Sequence, residues 1–207
     1  MTPSYQRPDA TDRLGERIYT DVKAHVLSTK VVSGERLDVP LLADTFQASI
    51  TPVRAALHRL VGEGLIEAYP NDGFRVPNVT EPGLRDLYGW NAQIVSQALR
   101  RSKGSVAARN GPSSSKPLPP VVATELFCNI AALSPNGECR FAVERLNDRL
   151  SRPRSLEIHV LQDPTAELTA MLDQLHAGKI SMLRHAVQLY HNQRIKRAGD
   201  IVRLLYS

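Results

Sequence analysis

The stretch SITPVRAALHRLVGEGLIEAYPNDGFRV, running from Ser49 to Val76, changes its period at Gly64. Before that glycine, Val53, Ala56, Leu57, Leu60 and Val61 recur at three- and four-residue intervals, the spacing of one helix face. Pro52 falls in the first turn, where its missing N–H costs nothing, and Ser49 or Thr51 is placed to cap the helix. After Gly64 the pattern becomes short and turn-punctuated. Leu65 to Ala68 and Gly73 to Val76 flank Pro70-Asn71-Asp72-Gly73, a strong turn signal, so two short strands follow the helix directly.

Working upstream, Leu14, Ile18, Val22, Val26 and Leu27 predict an amphipathic helix over about residues 12–29. Ser33-Gly34 breaks it, and Gly34 to Leu37 reads as an extended connector. Leu41, Leu42 and Phe46 make a short second helix with Pro40 near its start. Helix, helix, turn, helix, hairpin is the order of a winged helix-turn-helix, here spanning residues 10–77. In that arrangement the N-terminal end of the last helix enters the DNA major groove. Thr51, Arg54 and His58, at i, i+3 and i+7, share a face opposite Val53, Leu57 and Leu60. Arg54 suits a two-pronged contact to a guanine edge or a phosphate, Thr51 either, and the helix's first amides favour a phosphate.

Composition sets the outer limits. The 207 residues are 42% hydrophobic, 23% charged and 5% aromatic, enough for one large domain or two small ones. No apolar run approaches the roughly 20 residues of a membrane span. The opening MTPSYQRPDATDR has no apolar core after a positive region, so it does not read as a signal peptide, and a cytoplasmic protein is expected. The net charge of +5 suits a nucleic-acid binder, yet residues 1–80 hold 9 Lys or Arg against 10 Asp or Glu. Bulk charge is therefore a weak argument, and the placement of particular side chains must carry it. Cys128 and Cys139 form neither a CxxC pair nor a disulfide framework and read as reduced structural thiols.

Residues 78–83 read as a linker, and 84–207 as an all-helical bundle without strands or internal repeats. Helices are expected at Leu84 to Arg101, Val122 to Leu133, Cys139 to Leu150, Thr165 to Ala177 and Ile180 to Leu205. A Pro/Ser-rich loop, Asn110 to Pro120, interrupts them and is expected to be mobile. The fold class expected is thus mainly α, a winged helix-turn-helix followed by a helical bundle. No Ser-His-Asp pattern, glycine-rich phosphate loop or carboxylate pair supports an enzyme. His185 and His191 lie on different helix faces, and His159 and His176 have no carboxylate at ligand spacing.

The segment GERLDVPLLADTFQASITPVRAALHRLVGEGLIEAYPNDGFRV resembles the DNA-binding domain of the GntR superfamily. It carries the Gly-x-x-Leu connector, the Leu-Ala pair, a Thr-Pro-Val-Arg helix start, Gly-Leu-Ile and a glycine-tipped wing. The resemblance carries DNA contacts onto Arg36, Thr51, Arg54 and Gly73, in a DNA-facing set completed by Ser49, Ile50 and His58. Two positions depart from the family pattern, Ile50 for an arginine and Ala55 for a glutamate. Loss of the arginine removes a base or phosphate contact and implies an operator different from the family's common one.

The C-terminal half, in LFCNIAALSPN, AVERLNDRLSRPR and LDQLHAGKISMLRHAVQLYH, resembles the FCD effector domain of the FadR-type subfamily. Many such domains hold a divalent metal through an aspartate and three histidines. Those positions fall here on Thr124, Cys128, Leu168 and His191, so only the last ligand is retained and no metal is expected. A soft-metal site on Cys128 and His191 is the alternative. The first bundle helix shows Asn91 and Val95 where the family has arginine and glutamate. Cys128, Arg149, Arg154 and His191 are the candidate polar contacts to a small-molecule effector, and Ile94, Val95 and Leu99 a candidate dimer seam. The resemblance implies a homodimeric repressor of a pseudo-palindromic double-stranded DNA operator, without cofactor. The competing reading is a winged-helix protein-interaction module that does not read DNA.

Overall fold

The computed structural model describes residues 10–28, 30–101 and 118–207. Two compact units divide at Asn78 and Val79. In the first, α1 (Ala10–Leu27) packs on α3 (Ile50–Glu63), and α2 (Val39–Thr45) also lies against α3. The apolar periodicity becomes one core, in which Ile18, Val22, Val53, Leu57 and Leu60 are fully buried. Asp38 caps α2 by accepting a 3.0 Å bond from the Leu41 amide, with Pro40 in the first turn. Ser49 holds the N-cap position of α3 but makes no side-chain cap bond. Gly64 ends α3 with φ +72°, a left-handed conformation natural to glycine.

The extended connector proves to be a strand. β1 (Arg36–Leu37) pairs antiparallel with β3 (Gly73–Arg75), which also pairs with β2 (Glu67–Tyr69), giving the order β1-β3-β2. The register sets Arg36 opposite Arg75 and Leu37 opposite Phe74. Phe74 is buried while its neighbours in the hairpin face outward, so one apolar side chain fastens the wing to the core.

In the second unit α4 (Glu81–Arg101) packs on α8 (Ile180–Leu205), and α5 (Pro119–Ala132) on α6 (Glu138–Leu156) and α7 (Pro164–His176). α4 begins inside the stretch read as linker. α6 runs a turn beyond its expected end at Leu150, through Pro153, to a 3-10 turn at Glu157–His159. Its last turn survives the proline because Arg154 and Glu157 are held by the bundle. Of the Pro/Ser-rich loop, residues 110–117 lie outside the described residues, and Pro119 and Pro120 open α5.

Ile94, Val95 and Leu99, expected as a dimer seam, lie inside this bundle, packed with Phe127, Val187 and Tyr190. Their apolar surface is satisfied within the chain. Large apolar side chains that do face solvent include Trp90 on α4 and Met182 and Leu189 on α8.

Candidate nucleic-acid interface and a buried polar layer

Four of the sequence-predicted DNA contacts share the start of α3, and Arg36 and Gly73 lie at the wing. Ser49, Ile50, Thr51 and Arg54 are all exposed at the N-terminal end of α3, and Ile50 keeps 44% of its surface. Arg54 makes no hydrogen bond or ion pair among the described residues, so its guanidinium is free for an external acceptor. That contrasts with Arg59 further along α3. Arg59 is bound to Glu16 at 2.7 Å and stacked 3.5 Å above the Tyr19 ring.

His58 is exposed but has an internal role as well. Its ring meets Phe74 edge-on, centroids 5.1 Å apart, so it ties α3 to the wing. Arg36 lies beside the wing turn, 3.7 Å from Asp72. Asp72 also accepts a 2.8 Å bond from Arg75, and that bond lowers the Asp72 carboxyl below its usual range. Arg75 was missed by the sequence reading. Its alternation with Phe74 was the available signal, since the residue after a buried strand position points outward. Gly73 sits at the wing turn with φ +79° and open space around it.

On the opposite flank α1 and α3 are locked together. Tyr19 donates to Glu63 at 2.7 Å, and Lys23 reaches Glu63 at 3.0 Å. Burial pushes the Glu63 carboxyl up, but the bonds from Tyr19 and Lys23 outweigh it and leave the group lowered. This holds α3 by its C-terminal end and leaves its N-terminal end to solvent.

Three helices and a turn presenting a helix start, with a three-stranded wing beside it, define a winged helix-turn-helix DNA-binding module. Residues 14–76 match the model of bacterial regulatory proteins of the gntR family. The family is one of transcriptional regulators, not of enzymes. Among curated relatives, the chain is 29% identical over 87 residues to the HTH-type transcriptional repressor GlaR of Escherichia coli K12, a match covering 40% of each protein. It is 28% identical over 87 residues to the HTH-type transcriptional regulator BphR of Paraburkholderia xenovorans LB400, covering 42% of this chain and 36% of BphR. These matches span well under half of the relatives' own length.

Similarity of fold extends further. A GntR transcriptional regulator from Rhodococcus sp. RHA1 superimposes with a TM-score of 0.66 at 16% identity, covering 91% of this chain and 98% of that one. McbR/YncC of E. coli gives 0.61 at 20% identity, covering 94% and 99%. A winged helix-turn-helix followed by a helical domain is therefore the architecture of the described residues.

The candidate effector residues are distributed differently from the expectation. Arg149 is exposed on α6, away from the interior that holds Arg154 and His191. Arg154 is fully buried; its Nε donates to the Tyr190 hydroxyl at 3.2 Å and its Nη1 to Asn147 Oδ1 at 2.8 Å. Asn147 Nδ2 in turn approaches the half-buried Cys128 thiol at 3.5 Å. His191 Nδ1 donates to Val187 O at 2.7 Å, and its Nε2 lies 2.8 Å from the Asn91 side-chain amide, whose NH2 group is the donor to that nitrogen. Burial lowers its pKa to about 3, so the ring is neutral near pH 7.

These side chains belong to a larger polar layer that periodicity did not disclose. Arg194, fully buried, donates to Glu157 at 2.9 Å and pairs with Glu167 at 2.8 Å. Burial works against its charge, but Tyr190, Glu157 and Glu167 together hold it more firmly protonated than usual. Tyr88 donates to Glu157 at 2.7 Å. The layer separates a core around Phe127 and Leu126 from a smaller one of Leu84, Tyr88, Leu150, Ala198 and Ile201.

The positions implied by the resemblance do not fit a metal. Thr124 is exposed and donates to Pro120 O at 2.8 Å, Leu168 is buried in the apolar core, and both His191 nitrogens are engaged. No group of three or more His, Cys, Asp or Glu is placed to hold an ion among the described residues. The soft-metal alternative fails on the same ground, since His191 has no free nitrogen to offer alongside Cys128. No described helix is long and apolar enough to cross a membrane.

Proposed function

We propose that the protein is a transcriptional regulator that binds a pseudo-palindromic operator as a homodimer, acts as a repressor in the cytoplasm, and responds to a small molecule held in its C-terminal bundle. The observation carrying this reading is the exposed α3 start, with Thr51 and the unengaged Arg54, in a segment that matches the gntR family and is followed by a glycine-tipped wing. Two such readers in successive major grooves recognise two half-sites. The bundle is read as an effector and dimerisation domain of the FCD type, and ligand occupancy favours one of two dimer arrangements. With Ile94, Val95 and Leu99 used inside the bundle, the exposed Trp90 and Leu189 are the apolar side chains offered to a second copy.

Selection of bound sequences from a random duplex pool gives the operator, and Arg54→Ala tests the assignment on it. Loss of a base contact is worth about 1–3 kcal/mol, roughly 5- to 150-fold in affinity. Unchanged affinity with an intact circular dichroism spectrum would remove Arg54 from the interface. Light scattering is expected to give twice the 22.9 kDa chain mass, and residues 78–207 alone are expected to stay dimeric.

The exposed Ile50 and the balanced charge of residues 1–80 favour a second reading, a winged helix that binds protein instead of DNA. A salt titration of binding to random duplex DNA separates the two, because phosphate neutralisation gives a steep salt slope.

A further inference from the structure

The chain passes from its first unit to its second between Asn78 and Val79, and both sides of that joint are pinned. Val76 is still paired within the first unit. Its amide donates to Glu35 O at 2.9 Å, and its carbonyl accepts from Gly34 N at 2.9 Å. Asn78 then sets its side-chain oxygen so close to Gly34 that a Cβ there would meet it at 2.7 Å. Gly34 also has φ +80°, so glycine is needed at that position on two counts. In the second unit α4 starts at Glu81. The Thr80 carbonyl accepts from Leu84 N at 2.8 Å, and the Thr80 hydroxyl accepts from Gly83 N at 3.2 Å.

Val79 lies between these anchors and belongs to neither a helix nor a strand. Its backbone is held by a residue 127 positions further along the chain. The Val79 amide donates to the Tyr206 hydroxyl at 2.9 Å, and that hydroxyl donates to the Val79 carbonyl at 3.1 Å. One side chain thus satisfies both polar groups of a residue that no helix or strand ladder serves. Tyr206 follows α8 as its C-cap, with its amide on Arg203 O. Its ring is 49% exposed, so apolar burial is not what positions it; the two hydroxyl bonds are. The Val79 side chain packs on the small core that holds Leu84, Tyr88 and Ile201.

With Val79 held, the residues left to bend between the units are Pro77 and Asn78, and the Pro77 ring already fixes its own φ. The soft torsions that remain are Pro77 ψ and Asn78 φ and ψ; releasing Val79 adds its φ and ψ to them. We infer that Tyr206 is a positioning residue for DNA recognition, which clasps Val79 and so keeps the joint short and stiff. The spacing of two half-sites is then read strictly. The inference deepens the operator-binding reading above and rests on it for its consequence on DNA, whereas the clasp itself does not. Its physical basis is the entropy of the connector. A complex on two half-sites must surrender the freedom the connector still has, so a stiffer connector loses less on binding and tolerates fewer spacings.

The test compares the full natural chain with two variants. Tyr206→Phe keeps the ring and removes only the hydroxyl. Arg203→Ala removes an exposed side chain one turn earlier, which pairs with Asp200. Amide hydrogen exchange at Val79 should quicken by about 2- to 13-fold in Tyr206→Phe, the worth of one net hydrogen bond, and stay unchanged in Arg203→Ala. Selected operators are then rebuilt with the half-sites one base pair closer and one further apart, a change of about 3.4 Å and a tenth of a turn. The natural chain and Arg203→Ala should lose affinity sharply on both. Tyr206→Phe should lose several-fold less, while binding the selected spacing at most about fivefold more weakly, the low end of what one residue's backbone freedom is worth. Unchanged Val79 exchange in Tyr206→Phe, or an equal rise in Arg203→Ala, would overturn the clasp. Faster exchange with an unchanged spacing preference would overturn the positioning role and leave a local fastening. If no duplex is selected at all, the operator reading fails and takes the positioning role with it, whereas the exchange result still decides the clasp.

Discussion

Two ion pairs of nearly the same length hold the two domains, and they differ in everything except length. Arg59 meets Glu16 at 2.7 Å with the side chains 50% and 62% exposed, whereas Arg194 meets Glu157 at 2.9 Å with both at 0%. The first sits in water, where screening and side-chain entropy leave an ion pair worth little. The second lies in a medium that penalises each charge severely unless its partner stays in place. The first domain therefore keeps this pair on the outside, and even its tighter Tyr19–Lys23–Glu63 cluster is only partly buried. The bundle has folded its polar chemistry inward, where every missing partner has a consequence.

The largest expected effect follows from that difference. Glu157→Ala removes the acceptor of both Arg194 and Tyr88, leaving Glu167 as the only carboxylate on Arg194. The bundle should lose about 3–5 kcal/mol of stability, the usual cost of breaking a buried pair from one side. Glu16→Ala should cost at most about 1 kcal/mol. Urea unfolding of the two variants against the natural chain measures both. Equal losses would mean that burial does not distinguish these pairs.

A second contrast is between histidines. His58 faces solvent beside Phe74, whereas His191 is buried and its pKa is lowered to about 3. The unfolded chain therefore takes up a proton at His191 near pH 6.5, well before the folded chain does. The stabilisation is fully present above about pH 6.5 and is lost as the pH falls toward 3. The slope is ~1.4 kcal/mol per pH unit, so His191 should contribute a loss of about 2–3 kcal/mol by pH 4.5. Unfolding free energies at pH 7 and pH 4.5 should thus converge in His191→Gln relative to the natural chain. An unchanged pH dependence in that variant would place the acid sensitivity elsewhere.

The same contrast explains what was legible in the sequence. The first domain was readable because its signals are local. Apolar spacing at Val53 to Leu60, the turn Pro70 to Gly73 and the exposed phase of Thr51 and Arg54 all lie within one short stretch. Even so, Arg36–Leu37 pairs with a strand more than 35 residues away, and nothing local marks an extended connector as a sheet edge. In the bundle, helix positions were largely recovered but the polar layer was not. Asn91 continues the buried phase of Tyr88 and Val95, and Arg194 that of Val187, His191 and Ala198. A polar residue in the phase of a core face was the available clue. Its partners on other helices, such as Glu157 for Arg194, are fixed only by tertiary packing.

The smallest expected effect tests how the wing is built. Gly73 has φ +79° at the hairpin turn, and a Cβ added there meets no heavy atom within 4 Å. The cost of Gly73→Ala is therefore backbone strain alone, about 1 kcal/mol. Gly62, exposed within α3, also has open space for a Cβ but none of the left-handed backbone. Gly62→Ala should raise stability by roughly 0.5–1 kcal/mol, because alanine has the stronger helix preference. Thermal unfolding should shift in opposite directions for two substitutions that add the same methyl group to the same domain. If Gly73 also lies against the DNA backbone, Gly73→Ala alone should weaken operator binding beyond its effect on folding, while Gly62→Ala leaves binding unchanged. Midpoint shifts of the same sign would show that the wing turn is relaxed and that its glycine is not required by conformation. A loss of affinity would then have to come from contact with DNA.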